Sequence, residues 1–160
     1  MANKLFVTVL LAMLSSGIKA QVVQDSTCVD ARVLTGEGDR LPQFRSGMND
    51  LVRYIGFNLK YPKEAKQNGV EGRVITTFIV EADGTISHVQ PVQSLVHLKN
   101  KKKLLEKSGM TEQELTNLYG NLFQDEAKRI ISSMPKWAPG HQAGKPVRLK
   151  YSCPIIFANP

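Results

Sequence analysis

The last part of the chain alternates between apolar and polar positions. From Lys145 to Phe157, apolar residues occupy every second position: Val147, Leu149, Tyr151, Cys153, Ile155 and Phe157. Arg148, Lys150 and Ser152 occupy positions between them. A repeat of two residues is typical of a strand that buries one face. The pattern therefore predicts a half-buried β-strand close to the C-terminus.

The middle of the chain predicts a helix followed by a β-hairpin. Apolar residues recur at spacings of three and four over residues 48–59, which indicates an amphipathic helix that ends before Pro62. β-Branched and aromatic residues fill 73–81 and predict a central strand. A turn signal at 82–84 precedes a second predicted strand over 85–93.

Residues 95–121 predict a helical insertion between the second strand and the next helix. Lys101–Lys107 favours one short helix, and a capping box at Thr111-x-x-Glu114 opens a second that ends at Gly120. A third helix is expected from Asn121 until Pro135. The order helix, strand, strand, helices, strand predicts an α+β fold of two layers. A three-stranded antiparallel sheet is expected to pack against helices.

Two prolines in the last strand indicate that it is an edge strand. Pro146 and Pro154 cannot donate a ladder hydrogen bond, so each is expected at a strand end or on an outer edge. An edge strand offers unpaired N–H and C=O groups to another chain. The charges on its outer face have a second interpretation, because they also protect an edge from aggregation.

The N-terminus predicts export. Residues 1–20 have a positive charge, a short apolar run and small residues before Gln21, which is typical of a cleavable signal peptide. The alternative is a retained inner-membrane anchor, but the apolar run 5–18 is shorter than the roughly 20 residues that a membrane span requires. The expected domains are a signal peptide (1–20), a lead-in segment (21–45) and one folded domain (46–160). The expected location is the periplasm.

The net charge of +7 does not by itself predict a nucleic-acid-binding protein. Four lysines lie close together in the predicted insertion without interleaved aromatic residues: Lys99, Lys101, Lys102 and Lys103. An exported protein also does not meet nucleic acid as its usual partner. A solvated charged segment is the favoured interpretation.

The side chains that carry chemistry do not form a recognisable catalytic or metal-binding motif. His88, His97 and His141 belong to different predicted elements and lack metal-ligand spacing. We therefore predict no enzyme activity, no metal and no cofactor. Cys28 and Cys153 leave two states open, a disulfide that ties the N-terminal segment to the sheet, or two separate thiols.

The order of several short motifs resembles the C-terminal domain of TonB, in the form common in Bacteroidetes-type bacteria. The match runs from about Leu41 to Phe157 with one break. The motifs that carry it are Tyr61-Pro62-Lys63-Glu64-Ala65, Gly69-Val70-Glu71-Gly72-Arg73-Val74, Phe78-x-Val80-x-x-Asp83-Gly84, Glu126-Ala127, Met134-Pro135-Lys136-Trp137-x-Pro139-Gly140, Gly144-Lys145-Pro146-Val147 and Pro154-Ile155-x-Phe157.

The resemblance implies a function in the transport of nutrients across the outer membrane. Members of this family bind the Ton box, an extended N-terminal segment of an outer-membrane transporter, as an added strand beside their last strand. The resemblance places partner-binding residues at Val147, Arg148, Leu149, Lys150 and Tyr151, and adds Tyr61 and Pro62. Tyr61-Pro62 has a second interpretation, in which it ends a helix and packs its ring on the core. The resemblance also implies a proton-driven motor complex in the inner membrane as a further partner.

The chain departs from the energy-transducing members of this family in ways that leave other functions open. Pro42 is the only proline before Pro62, so a long proline-rich spacer is missing, and the insertion at 95–121 is unusual. One hypothesis is a periplasmic module that binds Ton-box-like segments. The alternative is a stand-alone structural or regulatory protein that forms a homodimer through its edge strand, without a transporter partner.

Overall fold

The computed structural model describes residues 28–29, 36–45 and 47–158. In chain order, the elements are β1 (Cys28–Val29), α1 (Met48–Asn58), α2 (Lys63–Gln67), β2 (Val70–Val80), β3 (Ile86–Leu98), α3 (Lys101–Ser108), α4 (Glu112–Ser132), β4 (Gly140–Gln142) and β5 (Lys145–Phe157). This arrangement confirms the predicted α+β class, with an antiparallel sheet and helices.

The sheet contains more strands than the sequence predicted. Its order is β1-β5-β2-β3, and β4 pairs with β5 outside this path. The long strands β2, β3 and β5 are antiparallel, as expected, but the two-residue strand β1 adds to β5 in parallel. The expectation of three strands was therefore wrong, because the lead-in segment supplies β1 and the residues before the last strand supply β4.

One face of the sheet forms the core together with the helices. The register pairs the inward residues of β2 and β5 directly, including Phe78 with Tyr151 and Val74 with Ile155. Phe123, Ala127 and the other inward residues of α4 are buried against this face. The predicted alternation in β5 is confirmed, because five of its six apolar residues are buried and the sixth, Val147, is half-buried.

A single helix, α4, replaces the two helices that were predicted on either side of Gly120. Its 21 residues begin at the predicted capping box, where the Thr111 hydroxyl accepts a hydrogen bond from the Glu114 N–H and the Glu114 carboxylate accepts one from the Thr111 N–H. Gly120 lies in the interior of the helix, and a Cβ atom there would be 3.2 Å from the Ser94 hydroxyl on β3. The glycine lets the helix approach the sheet closely and does not end it.

The lead-in segment joins the folded domain before residue 46. Phe44 is 2% exposed and packs its ring at 5.5 Å from that of Trp137. The backbone of Gln43 exchanges two hydrogen bonds with Ala138, at 2.8 and 3.0 Å. Residues 40–44 of the predicted lead-in segment therefore pack on the domain that was predicted to begin at residue 46.

Two interpretations of the N-terminus were given, a cleavable signal peptide and, as the alternative, a retained membrane anchor. The predicted signal peptide, 1–20, lies outside the described residues. Within the described ranges, none of the helices combines the length and the apolar character that crossing a membrane requires.

Gly84 supplies the first stability prediction. It adopts a φ of +82°, and a Cβ atom there would be 2.1 Å from the Trp137 carbonyl oxygen. We expect Gly84→Ala to lower the free energy of unfolding by at least about 3 kcal/mol, since strain and a backbone clash add. Urea unfolding followed by circular dichroism measures the change.

Gly109 offers the matched control, because it has a φ of +67° but no heavy atom within 4 Å of an added Cβ. Gly109→Ala should cost only the left-handed backbone conformation, about 1 kcal/mol. Equal losses in the two variants would contradict the close packing of the hairpin turn on Trp137.

Candidate partner-binding edge

At Leu149, β5 has a neighbouring strand on each side. Leu149 lies between Val80 of β2 and Val29 of β1, and Arg148 lies opposite Cys28. The sequence predicted residues 147–151 as a free edge, whereas β1 pairs with two of them, Arg148 and Leu149. The described residues supply no strand beside the outer edge from Lys150 to Phe157.

Backbone hydrogen bonds show which residues of β5 direct their N–H and C=O groups outward. Pro146 lies opposite His141, and both backbone groups of His141 bond to Arg40 instead, at 2.8 and 2.9 Å. Pro146 therefore faces away from β4. On β2, the N–H of Glu81 donates to the Thr85 carbonyl at 2.9 Å and so faces β3, which means that Val80 and its partner Leu149 face each other. Alternation then places every second residue of β5 from Pro146 onward on the outer side. Pro154 belongs to this set, as a residue without an N–H should. The other outward-facing residues are Arg148, Lys150, Ser152 and Ile156.

The charged side chains at this edge differ in their partners. Arg148 forms an ion pair with Glu81 at the end of β2, with Nε at 2.9 Å from one carboxylate oxygen and a terminal nitrogen at 3.1 Å from the other. The Arg148 side chain is 20% exposed, and its ion pair with Glu81 links the end of β2 to β5. Lys150, opposite Ile79 of β2, is half-buried. The Lys150 side chain is therefore a better candidate than that of Arg148 to contact an incoming segment.

Two other predicted site residues, Leu149 and Tyr151, belong to the core. Leu149 is fully buried, and the Tyr151 ring lies 5.0 Å from Trp137 and 5.6 Å from Phe78. Burial, with a smaller effect of Cys153, raises the pKa of Tyr151 to about 12. Because the side chains of Leu149 and Tyr151 are buried in the core, a partner can reach only the outward backbone groups of the residues next to them. Val147 is half-buried and pairs with Gly140 of β4.

Tyr61 and Pro62 lie far from the other predicted site residues. The Tyr61 hydroxyl donates a hydrogen bond to the Val70 carbonyl at 2.6 Å, and its ring lies 6.0 Å from Phe157. Burial, followed by the charge of Glu71, raises the pKa of Tyr61. Phe157 is eight residues along β5 from Leu149, or about 27 Å at the usual rise of a strand.

The structure therefore does not bring Tyr61-Pro62 together with Val147–Tyr151. Pro62 caps the N-terminus of α2, which ends the preceding extended segment. The contacts of this pair match the interpretation as a helix boundary with a ring packed on the core.

The register of β1 on β5 does not place Cys28 beside Cys153. Cys153 is a buried free thiol, and the register places Cys28 opposite Arg148, five residues away along β5. That separation is about 17 Å along the strand, whereas a disulfide requires Cα atoms about 4.4–6.8 Å apart. Burial raises the pKa of the Cys153 thiol to about 12.

The lysine cluster is partly paired within the chain. Lys99 lies 2.6 Å from the Glu71 carboxylate, and Lys101 forms an ion pair with Glu112. A cavity of about 280 Å³ lies between α2 and α3 and includes Lys103 and Lys107 in its lining. Exposed lysines without a buried polar partner do not define a ligand site. Across the described ranges, His, Cys, Asp and Glu do not gather in a group that could hold a metal ion.

The strand β1 is the element of this site that sequence patterns did not place. Val22, Val23, Val29, Val33 and Leu34 indicate a short strand before Gly36, but the sequence does not show its pairing partner. Two residues carry no hydrophobic period, so only their register with Arg148 and Leu149 reveals that they occupy the same edge.

Part of this chain matches a known protein family. Residues 58–99, from the end of α1 to the end of β3, match the family described as Gram-negative bacterial TonB protein C-terminal. No curated protein matches the chain.

Two solution structures of the Helicobacter pylori TonB C-terminal domain are similar to this chain. The longer is 18% identical, covers 69% of this chain and 78% of its own, and has a TM-score of 0.42. The shorter is 22% identical, covers 69% of this chain and 90% of its own, and has a TM-score of 0.37.

Thiol reactivity tests the state of the two cysteines. In a Cys28→Ser variant, Cys153 should resist a disulfide reagent at pH 8, because burial blocks access and a pKa raised from 9.0 to about 12 lowers the thiolate fraction about a thousandfold. Unfolding in urea should restore rapid reaction.

The unchanged protein, purified without reductant, supplies the companion measurement. Alkylation under denaturing conditions should add two labels, which intact mass detects. A protein that takes no label until it is reduced would contradict the free thiol at Cys153.

Proposed function

The chain belongs, through residues 58–99, to the TonB C-terminal domain family, and we propose that it binds an extended segment of an outer-membrane transporter as a strand added to the outer edge of β5. The single observation that carries this proposal is the direction of the backbone groups. Every second residue from Arg148 to Ile156 directs its N–H and C=O away from β2. A row of outward backbone groups is the binding surface that β-augmentation requires.

The proposed edge also has suitable side chains. Arg148 and Lys150 give it positive charge, which favours a polar or acidic flank on the incoming segment. Since Arg148 is already paired with Glu81, Lys150 supplies the charge that is more available to a partner. Main-chain hydrogen bonds then provide affinity with little demand on sequence, and side chains on alternate positions tune specificity.

The opposite edge of the sheet favours a second candidate function, self-association. β3 is 13 residues long, and no strand pairs with its outer edge among the described residues. Val92 is 56% exposed and Leu95 is 50% exposed. A long edge strand with exposed apolar residues can pair with another copy of the chain. Pro91 interrupts its row of N–H donors and opposes such pairing.

Lys150 allows a test that separates backbone binding from charge. We expect Lys150→Pro to lower the affinity for N-terminal transporter peptides at least tenfold, because it removes an outward N–H and leaves the ladder with β2 intact. Lys150→Ala should keep most of the affinity, because its N–H remains. The measurement is an amide chemical-shift titration, using peptides from transporters of the same organism.

Shifts in the unchanged protein should centre on residues 147–151 and reach saturation. Equal binding by the proline and alanine variants would contradict strand addition at this edge. Shifts confined to other surfaces would contradict the proposed location.

Sedimentation tests the second candidate. If β3 mediates self-association, the sedimentation coefficient should rise with concentration, and Leu95→Lys should abolish that rise by placing charge on the edge strand. Leu118→Lys is the control, because it makes the same change at an exposed leucine of α4 outside the sheet. A monomer at all concentrations would remove self-association as a function.

A further inference from the structure

The chain's own N-terminal segment occupies part of the proposed binding edge. β1 pairs in parallel with β5, with Cys28 opposite Arg148 and Val29 opposite Leu149. Arg148 and Leu149 are two of the five β5 residues that were expected to face a transporter segment. A strand from a partner and β1 cannot bond to the same backbone groups at one time.

The direction of the β5 backbone identifies which residue of β1 makes the bonds. Arg148 and Lys150 direct their backbone groups outward, and Leu149 faces β2. In a parallel ladder, the residue opposite an inward-facing position bonds to the two outward-facing residues on either side of it. Val29 therefore directs its N–H to the Arg148 carbonyl and its C=O to the Lys150 N–H. These are the same groups that an added strand would use.

Contacts of residues 39–44 hold the N-terminal segment, which contains β1, close to β5. Arg40 and His141 exchange two backbone hydrogen bonds, and the Asp39 carboxylate accepts one from the Ala143 N–H at 2.8 Å. Phe44 is buried against Trp137. These contacts anchor the chain beside the β4–β5 hairpin from Asp39 onward, and Asp39 follows Val29 by ten residues. A short tether of this kind gives β1 a high effective concentration at the edge.

We propose that β1 is an internal competitor that covers the transporter-binding edge and must leave before a partner strand adds. This inference rests on the proposed function and assigns its regulation. β1 contains two paired residues, so a longer segment that bonds along more of β5 can replace it. The measured affinity is then the intrinsic affinity multiplied by the fraction of molecules in which the edge is open. The same cover prevents the edge from pairing with unrelated chains.

The position of β1 can be tested by a cross-link without any partner. Neighbouring strands lie about 4.8 Å apart, within the range that a disulfide spans. Arg148→Cys should therefore form a bridge with the natural Cys28 under mild oxidation, visible as a mass loss that reductant reverses. Cys28→Ser combined with Arg148→Cys should form no bridge, since Cys153 lies on the inward face. Arg148→Ser measures the effect of losing the Glu81 ion pair alone.

Affinity for a transporter peptide tests the competition. Val29→Pro removes the N–H that faces Arg148 and should tighten binding about tenfold, if β1 is paired in about nine molecules of ten. Val29→Thr retains the N–H and a β-branched side chain, so it should bind like the unchanged protein. The oxidised Arg148→Cys protein should lose binding, and reductant should restore it to the level of Arg148→Ser.

The outcomes separate this inference from the proposed function. Equal affinity of the locked, reduced and Val29→Pro proteins would overturn the competition and leave strand binding intact. Failure of the bridge to form would overturn the placement of β1. Absence of binding by every variant, including Val29→Pro, would overturn both proposals.

Discussion

The position of Trp137 determines how the remaining parts of the sheet meet. Its ring packs against Phe44, Phe78 and Tyr151, at 5.5, 5.5 and 5.0 Å. The backbone N–H of Trp137 donates to the Gly84 carbonyl at 2.9 Å, which joins the β2–β3 turn to the segment before β4. The lead-in segment, the central hairpin and the last strand therefore share one anchor. Aromatic contacts of this kind contribute about 0.5–1.5 kcal/mol each beyond burial.

The anchor has a direct consequence for the proposed binding edge. Ala138, next to Trp137, pairs with Gln43, and this pairing brings the N-terminal segment to the side of the sheet where β5 begins. β5 then receives β2 on one edge and β1 on the other. One packing arrangement thus creates the outward row of backbone groups and also supplies the strand that covers its start. The proposed binding and its proposed regulation therefore depend on the same few residues.

Some features could be predicted because they depend on neighbours in sequence. The strand period from Val147 to Phe157, the hairpin turn and the capping box at Thr111 all agree with the structure. Gly120 shows the limit of this approach. Its residue type suggested a helix end, but it lies inside α4, where its missing Cβ allows contact with Ser94. Tertiary packing overrides helix propensity there, and the sequence pattern contains no signal of that neighbour.

The candidate site shows the same division. The residues at the edge of β5 could be named from alternation and from two prolines, together with a family resemblance. Their roles could not be assigned, because Arg148 meets Glu81 from β2, 67 residues away in the chain, and Leu149 meets β1.

The sequence by itself determined the period, the turn and the face that each strand buries, since these follow from local steric and hydrophobic preferences. Only the tertiary structure decided which edges are covered, because strand pairing joins distant residues through backbone groups that every residue type shares.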